Sequence, residues 1–278
     1  MDYELLDTGG EEKLERYGGV IVRRPDPQAL WERSLPSEKW EAADATFLRR
    51  GEKGGWTFGK QLPSAWPIEF GGLTFEIRLT SFKHTGIFPE QLANWEWVAP
   101  HAKGATVLNL FGYTGGASLA AAKAGASVTH IDASKSAVEW ARKNAELSNL
   151  SSAPIRWIVE DTMKFVDRDL KRGAKYDGII LDPPSFGHGP DGELWKIEED
   201  LVPLMQKCRE LLSDKPRFVV MNGYAAGYSH LAFEHLLGPV QKFHGGSVEG
   251  GELTLQETGP LMRLLPCGIY ARWSSSTP

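Results

Sequence analysis

Two hydrogen-bond acceptors follow an apolar run at residues 182–186, which read DPPSF. The carboxylate of Asp182 and the backbone carbonyl of Pro183 both accept, and the two prolines stiffen the turn by fixing φ. Such a pair suits a planar substrate with an exocyclic amine, whose nitrogen it would orient for attack on a methyl group. Phe186 could stack on the substrate ring. A proline turn that merely ends a strand over a buried phenylalanine is the alternative explanation.

A second set of residues has the pattern of a nucleoside cradle. Residues 107–118 (VLNLFGYTGGAS) lead from an apolar strand through a glycine-bearing loop into a small-residue helix, and residues 128–132 (VTHID) form a strand that ends on Asp132. The glycines would let the backbone approach a ligand, and the carboxylate would accept hydrogen bonds from two ribose hydroxyls. The dinucleotide pattern G-x-G-x-x-G is absent. Together with the DPPSF turn, this order predicts S-adenosylmethionine as cofactor and methyl transfer as the reaction.

Three loops supply the candidate cofactor contacts. Backbone N–H groups of the first loop and the helix start can hold the methionine carboxylate. Asp132 could instead be an acid that stabilises a helix N-terminus, and Asp161, placed to accept from the adenine amine, could instead be a helix cap. The predicted contacts from these loops are Phe111, Tyr113, Thr114, Gly115, Asp132, Ala133, Asp161 and Thr162.

From about residue 101 strands alternate with helices, which predicts parallel strands joined by right-handed crossovers. Ser134 is the predicted cap of a helix over residues 135–147. We therefore predict an α/β, Rossmann-like fold with a mostly parallel seven-stranded sheet and terminal antiparallel strands. The predicted strands cover residues 106–110, 127–131, 155–159, 177–181 and 217–221, with a final antiparallel pair at 247–257 and 261–273.

We predict two domains. Residues 1–66 form a small, mainly β N-terminal appendage, and residues 67–278 form the domain that binds S-adenosylmethionine and transfers the methyl group. Short β-like runs at 19–23 and 45–48 alternate with glycine, proline and charged residues, and residues 69–79 predict a hairpin with a Gly-Gly turn. Tryptophans are concentrated before residue 100. We interpret most of them as core residues of a thin domain, with base stacking as the alternative.

Composition is that of a globular protein, with 278 residues of which 41% are hydrophobic. No run approaches the roughly eighteen apolar residues of a membrane span, and the N-terminus lacks a secretory pattern, so we expect a cytoplasmic protein without a membrane partner. Cys208 and Cys267 form neither a metal cluster nor a disulfide framework, and we predict no metal. The net charge of −5 gives no support for an RNA substrate, although a local basic patch is compatible with it.

Residues 69–229 resemble class I S-adenosylmethionine-dependent methyltransferases of the large-subunit ribosomal RNA type, the RlmI and RlmK-like group. The resemblance rests on residues 108–115 (LNLFGYTG), 132–134 (DAS) and the DPPSF turn. Residues 83–91 (KHTGIFPEQ) also resemble that family's K-T-G-x-F-x-D-Q-R segment, which borders the cofactor pocket. The resemblance implies the class I methyltransferase fold and a ribosomal RNA substrate. It adds three cofactor contacts, namely Thr85, Phe88 and Gln91.

The chain departs from this family at positions that bear on the substrate. Glu90 replaces the family's aspartate, and Leu92 replaces the arginine after the glutamine, which removes a basic contact to nucleic acid. Members that methylate carbon 5 of cytosine need a cysteine nucleophile at the end of the fifth strand, where this chain has residues 220–223 (VMNG). We therefore predict no cytosine C5 chemistry, and Asn222 as a polar wall of the site.

The sequence thus predicts methyl transfer to a nucleobase nitrogen, guanine or adenine in RNA, with Asp182 and Pro183 orienting the acceptor. Residues 187–192 (GHGPDG) predict a mobile lid over the substrate. We interpret His188 as a solvated loop residue, with a direct catalytic role as the less favoured alternative. Methylation of a protein or small molecule is one alternative, favoured by the acidic charge and the missing arginine. A non-catalytic RNA- or ribosome-binding module with the cofactor fold is another. The sequence leaves the oligomeric state open.

Overall fold

The computed structural model describes residues 2–50, 53–81, 83–224 and 227–276. Contacts divide the chain into two compact units. The first comprises Met1–Glu90 and Thr254–Cys267, and the second comprises Gln91–Leu253 and Gly268–Pro278. Within the described ranges, no helix has both the length and the apolar character needed to cross a membrane.

The first unit is built on a five-stranded sheet, whose strands follow one another in chain order. They are β1 (Tyr3–Gly9), β2 (Glu12–Tyr17), β3 (Val20–Pro25), β4 (Ala45–Arg50) and β5 (Lys53–Phe58), with the short helix α1 (Ser37–Glu41) between β3 and β4. Only the β3–β4 pair is parallel. This sheet confirms the predicted β-rich N-terminal region.

A separate hairpin joins β6 (Trp66–Phe70) and β7 (Leu73–Ile77) around the predicted Gly-Gly turn. Gly71 and Gly72 both have positive φ, of 58° and 71°. A two-residue turn with this geometry matches the twist of the strands and favours glycine at both positions. The local sequence therefore determines this hairpin.

The tryptophans of the first unit pack and donate hydrogen bonds within it. Trp40 is fully buried and its Nε1 donates to Asp7, while Trp66 Nε1 donates to the carbonyl of Tyr17. Trp31 and Trp56 are half-buried, and their indole N–H groups are also bonded. The core interpretation fits these side chains.

A late segment of the chain completes this unit. Glu257 forms a parallel bridge with Leu5, and the N–H of Thr258 donates to the Leu5 carbonyl at 2.7 Å. The boundary between the two compact units falls after Glu90, whereas the sequence pattern predicts a domain boundary after residue 66. The predicted division into functional domains 1–66 and 67–278 stays a prediction.

The second unit is an α/β fold built on a seven-stranded sheet. Its elements are α2 (Leu92–Ala102), β8 (Thr106–Leu110), α3 (Gly116–Lys123), β9 (Ser127–Asp132), α4 (Lys135–Leu147), β10 (Ile155–Val159), α5 (Thr162–Lys171), β11 (Gly178–Leu181), β12 (Phe186–His188), β13 (Leu194–Lys196), α6 (Ile197–Leu211), β14 (Phe218–Gly223), α7 (His230–His244), β15 (Ser247–Gln256) and β16 (Leu264–Ser274).

The strand order in this sheet is β10-β9-β8-β11-β14-β16-β15. The pairs from β10 to β14 are parallel and β14 pairs antiparallel with β16, as predicted.

The central parallel strands β8, β11 and β14 are buried on both faces, as expected when helices cover each side. Leu181 and Met221 pack into the cluster formed with α5, α6 and α7. Ile180 and Val220 pack into the cluster formed with α2 and α3. This alternation decides on which face the side chains at the carboxyl ends of the strands lie.

Candidate active site

The loop after β8 has an unusual backbone. Phe111 and Tyr113 have φ of 60° and 48°, in the left-handed region that non-glycine residues seldom adopt, and Gly115 caps α3 with φ of 90°. The loop closes on itself through the N–H of Gly115, which donates to the Gly112 carbonyl at 2.9 Å. Left-handed residues of this kind persist where surrounding contacts hold them, and they are concentrated at functional sites.

Asp132 supplies the contact that holds this loop. Its carboxylate accepts from the backbone N–H of Tyr113 and of Ser134, each at 2.8 Å. Burial raises the pKa of Asp132, and the two backbone hydrogen bonds act in the opposite direction. An ionised carboxylate has about four acceptor positions, so Asp132 retains capacity for the ribose hydroxyls.

The loop glycines are explained by packing against protein side chains. A Cβ on Gly112 would lie 2.4 Å from the ring of His130, and a Cβ on Gly116 would lie 2.4 Å from the ring of Trp95. The reason predicted from the sequence, close approach of a ligand, is therefore not needed at these two positions. The first-turn N–H groups of α3 have no acceptor within the helix, as at any helix start, and can bind a carboxylate.

Asp161 caps a helix. It is the N-cap residue of α5, and its Oδ1 accepts from the N–H of Lys164 at 2.9 Å. The neighbouring Thr162 is buried at the first helical position. The structure thus shows the capping alternative, and an additional contact of Asp161 with adenine stays a prediction.

Asp182 leaves β11 directly beside the cofactor loop. Its N–H donates to the carbonyl of Leu110, the residue before Phe111, at 3.3 Å. The carbonyl of Pro184 is already bound by Trp195 Nε1 at 2.7 Å, whereas no described residue binds the carbonyl of Pro183. Of the two prolines, Pro183 therefore offers the available acceptor, and its predicted contact with the substrate stays a prediction.

The segment predicted as a lid forms a short hairpin of β12 and β13. Phe186 is 57% exposed, and its ring meets that of the exposed His188 edge to face at 5.1 Å between centroids. On the opposite side, Trp195 is buried against Phe111, with ring centroids 4.9 Å apart. Phe186 thus presents its ring to solvent and is not a buried core residue; the mobility of the hairpin stays a prediction.

An amide cluster, which we define as Gln91, Asn94, Asn222, Tyr224 and Arg272, lies at the carboxyl end of β14. Nδ2 of Asn94 donates to Asn222 at 2.6 Å and to Gln91 at 2.8 Å. Oδ1 of Asn94 accepts from Nε of Arg272 at 2.7 Å. Gln91 in turn donates to the Tyr224 hydroxyl at 2.8 Å. Two predicted site residues, Gln91 and Asn222, are therefore brought together.

Sequence reasoning missed Asn94 and Arg272. The sequence does contain an indication of both, because each is a polar residue at a position that the periodicity of its element predicts to be buried. Asn94 is 3% exposed in α2, and Arg272 is 6% exposed in β16. Buried polar groups of this kind need hydrogen-bond partners, and those partners cannot be identified without the tertiary structure.

The remaining predicted cofactor residues fall in different units. Thr85 is fully buried and Phe88 half-buried in the first unit, where the Phe88 ring lies 5.4 Å from that of His84. Gln91 begins the second unit. Ala133 lies half-buried between Asp132 and the helix cap Ser134, and Thr114 binds the side chain of Asn144 through its carbonyl. The cofactor roles of these residues stay predictions.

The fold and the order of the site residues are those of a class I methyltransferase, and comparison with known proteins leads to the same class. The sequence model of the S-adenosylmethionine-dependent methyltransferase family matches residues 23–234. The chain belongs to this family, and the predicted cofactor and enzyme class are thereby confirmed. The chemistry of Asp132, the loop at 111–115 and the start of α3 fits this cofactor.

A solved S-adenosylmethionine-dependent methyltransferase from Agrobacterium tumefaciens is 43% identical, with a TM-score of 0.94 over 99% of this chain and 90% of that one. A methyltransferase structure from Streptococcus mutans has a TM-score of 0.72 at 20% identity, covering 98% of this chain and 75% of that one, which shows a shared fold. Ribosomal RNA large subunit methyltransferase K/L of Shewanella sp. (strain MR-4) is 36% identical over 154 residues. That match spans 54% of this chain and 22% of the relative.

Proposed function

We propose that this protein transfers the methyl group of S-adenosylmethionine to a nitrogen of a purine base in RNA, with ribosomal RNA as the first candidate. One observation carries the proposal: Asp182 and the available carbonyl of Pro183 close β11 beside the cofactor loop, with the N–H of Asp182 bonded to Leu110. The similarity to a ribosomal RNA methyltransferase over 154 residues supports the choice of RNA.

The chemistry that the residues must supply is mainly positioning. When bound, the cofactor provides a methyl group on a sulfonium, which is already a strong methyl donor. Asp182 and Pro183 accept from the amine of the base and thereby hold its nitrogen in the direction of attack. That nitrogen must lose a proton in the reaction, and the Asp182 carboxylate is the nearest titratable acceptor along the turn. Phe186, exposed at the next turn, can stack on the base.

The surroundings of the hairpin favour a second candidate acceptor. Asp191, Glu198 and Glu199 are exposed on the hairpin turn and at the start of α6. Asp191 pairs with Lys164 and Glu199 with Lys196, so the three acidic residues outnumber these two cations. Acidic side chains repel phosphate and attract cations. A basic protein segment or a cationic small molecule with an amine would therefore suit this side of the site. The test must distinguish such an acceptor from RNA.

The test is transfer of labelled methyl from S-adenosylmethionine to total RNA from cells that lack this protein, followed by nuclease digestion and identification of the labelled nucleoside. We expect label in a methylated purine. Label in 5-methylcytosine contradicts the mechanism. No label in RNA, with cofactor binding intact and label in protein or metabolite fractions, replaces RNA with the second candidate.

Asp182→Asn tests the role of the carboxylate. We expect this variant to bind the cofactor as the wild type does and to lose at least about a hundredfold in turnover, the lower range for loss of a positioned acid–base group. Glu139→Gln, on the exposed face of α4, is the matched control and should keep full activity. If the wild-type protein binds RNA or ribosomes but transfers no methyl group, it is instead a non-catalytic binding module.

A further inference from the structure

The direction of every amide in the amide cluster follows from Arg272. A guanidinium can only donate hydrogen bonds, so the atom of Asn94 that meets Arg272 Nε at 2.7 Å must be its oxygen. The amino group of Asn94 then faces Asn222 and Gln91. This conclusion follows from the chemistry of the two groups, independent of how amide oxygens and nitrogens are distinguished.

The orientation of Asn94 determines which atom Asn222 presents. Because Asn94 donates to it at 2.6 Å, the inward atom of Asn222 must be its oxygen. Its amino group therefore points away from Asn94, and no described residue accepts from it. Gln91 is set in the same way, with its oxygen toward Asn94 and its amino group donating to Tyr224.

Asn222 lies level with the proposed reacting turn. Leu181 and Met221 are register partners on the adjacent parallel strands β11 and β14. Asn222 is the next residue of β14, and Asp182 directly follows the end of β11, with its N–H still bonded to the Leu110 carbonyl of β8. Leu181 and Met221 face α5, α6 and α7. Alternation therefore places Asp182 and Asn222 on the other face, the one that α2 covers.

Arg272 is held firmly enough to act as the fixed end of this chain of contacts. It is 6% exposed, and its guanidinium carbon lies 4.0 Å from the ring centroid of Tyr270 and 5.4 Å from that of Trp97. Nη1 also reaches Glu249 at 3.4 Å. Stacking on two aromatic rings restricts a planar guanidinium to one orientation.

We propose that Arg272 is a positioning residue which, through Asn94, makes Asn222 present an N–H donor beside the two acceptors of the Asp182 turn. This inference rests on the proposed function for the identity of that turn as the reacting end. It specifies the acceptor molecule further: next to the amine that Asp182 and Pro183 bind, the substrate carries a hydrogen-bond acceptor, such as a ring nitrogen or carbonyl, for Asn222.

Asn94→Asp is the decisive variant, because it changes one atom type and keeps the shape. The carboxylate still accepts from Arg272, but it now presents an oxygen to Asn222 and Gln91, so both amides must turn round and donate. Asn222 would then present its oxygen to the site. At saturating S-adenosylmethionine we expect a fall in kcat of at least about tenfold, the value of one misplaced hydrogen bond, with the Tm close to wild type. The Kd for the cofactor is measured separately, because Gln91, a predicted cofactor contact, also turns round.

Arg272 variants test the origin of the effect. Arg272→Met removes the donor, and we expect kcat to fall; Arg272→Lys keeps a donor and should restore part of that loss. A purely structural arginine would instead lower the Tm in both variants and leave the kcat of the folded fraction unchanged. An unchanged kcat in Asn94→Asp overturns the proposal, even if Arg272→Met fails to fold.

A measurement without substrate separates this inference from the proposed function. In spectra of protein with ¹⁵N-labelled asparagine side chains, we expect the amino protons of Asn222, which is 2% exposed, to exchange faster in the wild type than in Asn94→Asp, where they donate to the new carboxylate. Equal exchange in both proteins contradicts the orientation. Expected exchange without methyl transfer to RNA contradicts only the proposed substrate.

Discussion

The carboxylate of Asp132 accepts a 2.8 Å hydrogen bond from the backbone N–H of Tyr113, a residue with φ of 48°. The end of β9 thereby holds the loop after β8 in its left-handed conformation. One side chain is thus expected both to contact the cofactor and to shape the loop around it. Asp132→Ala should weaken S-adenosylmethionine binding by about 10- to 100-fold, the range for losing a charged hydrogen-bond acceptor. Isothermal calorimetry measures this change, and an unaltered Kd would contradict the assignment.

Cofactor binding should also depend on pH through Asp132. Its pKa is raised by burial, so the carboxylate becomes protonated, and stops accepting, at a higher pH than an ordinary aspartate. Because only the ionised form binds two hydroxyls well, the Kd should increase as pH falls through this raised pKa. The same raised pKa means that ionisation of Asp132 lowers the free energy of unfolding at pH values above it. Asp132→Asn should bind weakly without this pH dependence.

Gly112→Ala should distort the cofactor loop. The added Cβ would lie 2.4 Å from the ring of His130, which is fully buried and bonded to Ser118 at 2.9 Å. Overpacking of this kind costs about 1–3 kcal/mol in the free energy of unfolding. Denaturant titration measures the loss, and calorimetry measures the accompanying weaker cofactor binding. Gly238→Ala, in α7 with nothing within 4 Å of its Cβ, is the matched control and should be neutral or stabilising.

Trp195→Phe should affect turnover more than binding. The substitution keeps an aromatic ring against Phe111 but removes the 2.7 Å hydrogen bond from Nε1 to the Pro184 carbonyl. The turn that carries Asp182 and Pro183 would then be held less rigidly, because this hydrogen bond anchors it at Pro184. We expect kcat to fall several-fold, as about 1 kcal/mol of positioning would give, with an unchanged Kd for the cofactor. Equal changes in kcat and in cofactor affinity would argue against this separation.

Arg263→Met should destabilise the first unit. Arg263 lies between Asp7 and Glu257, whose side chains are fully buried, and bonds to both at 3.0 Å. Removing the cation leaves two buried carboxylates without this counter-charge, although Asp7 still accepts from Ser34, Leu35 and Trp40. We therefore expect a loss of about 3 kcal/mol, the lower end of the range for breaking a buried ion pair. Thermal unfolding monitored by calorimetry measures the loss. Arg263→Lys should recover only part of it, because one ammonium cannot make the contacts of a guanidinium fork.

Several elements were predictable because short-range rules govern them. The helix Lys135–Leu147 with its cap Ser134, the strand Thr106–Leu110 and the Gly71–Gly72 turn agree with their predicted ranges. A capping hydroxyl, a run of apolar residues and a pair of left-handed glycines each act over a few positions. Local sequence indicated Asp161 as an adenine contact, with a helix cap as the alternative, and the structure shows the cap.

Long-range packing decided the features that the sequence did not reveal. Residues 254–267 belong to the same unit as the N-terminal sheet, because Glu257 pairs with Leu5. The loop glycines are required by His130 and Trp95, which approach from another strand and helix. Neither relationship has a local signature, since both depend on which elements the chain brings into contact.

By itself the sequence determined the fold class, the cofactor and the order of the candidate carboxylates along the strands. These properties depend on periodicity and on residue types at strand ends, which a linear reading contains. Only the tertiary structure determined which atoms the site presents. Arg272 meets Asn94 across 178 positions of the chain, and through that contact it sets the direction of the Asn222 amide. Hydrogen-bond direction is a property of paired groups, so it exists only once folding has brought the pair together.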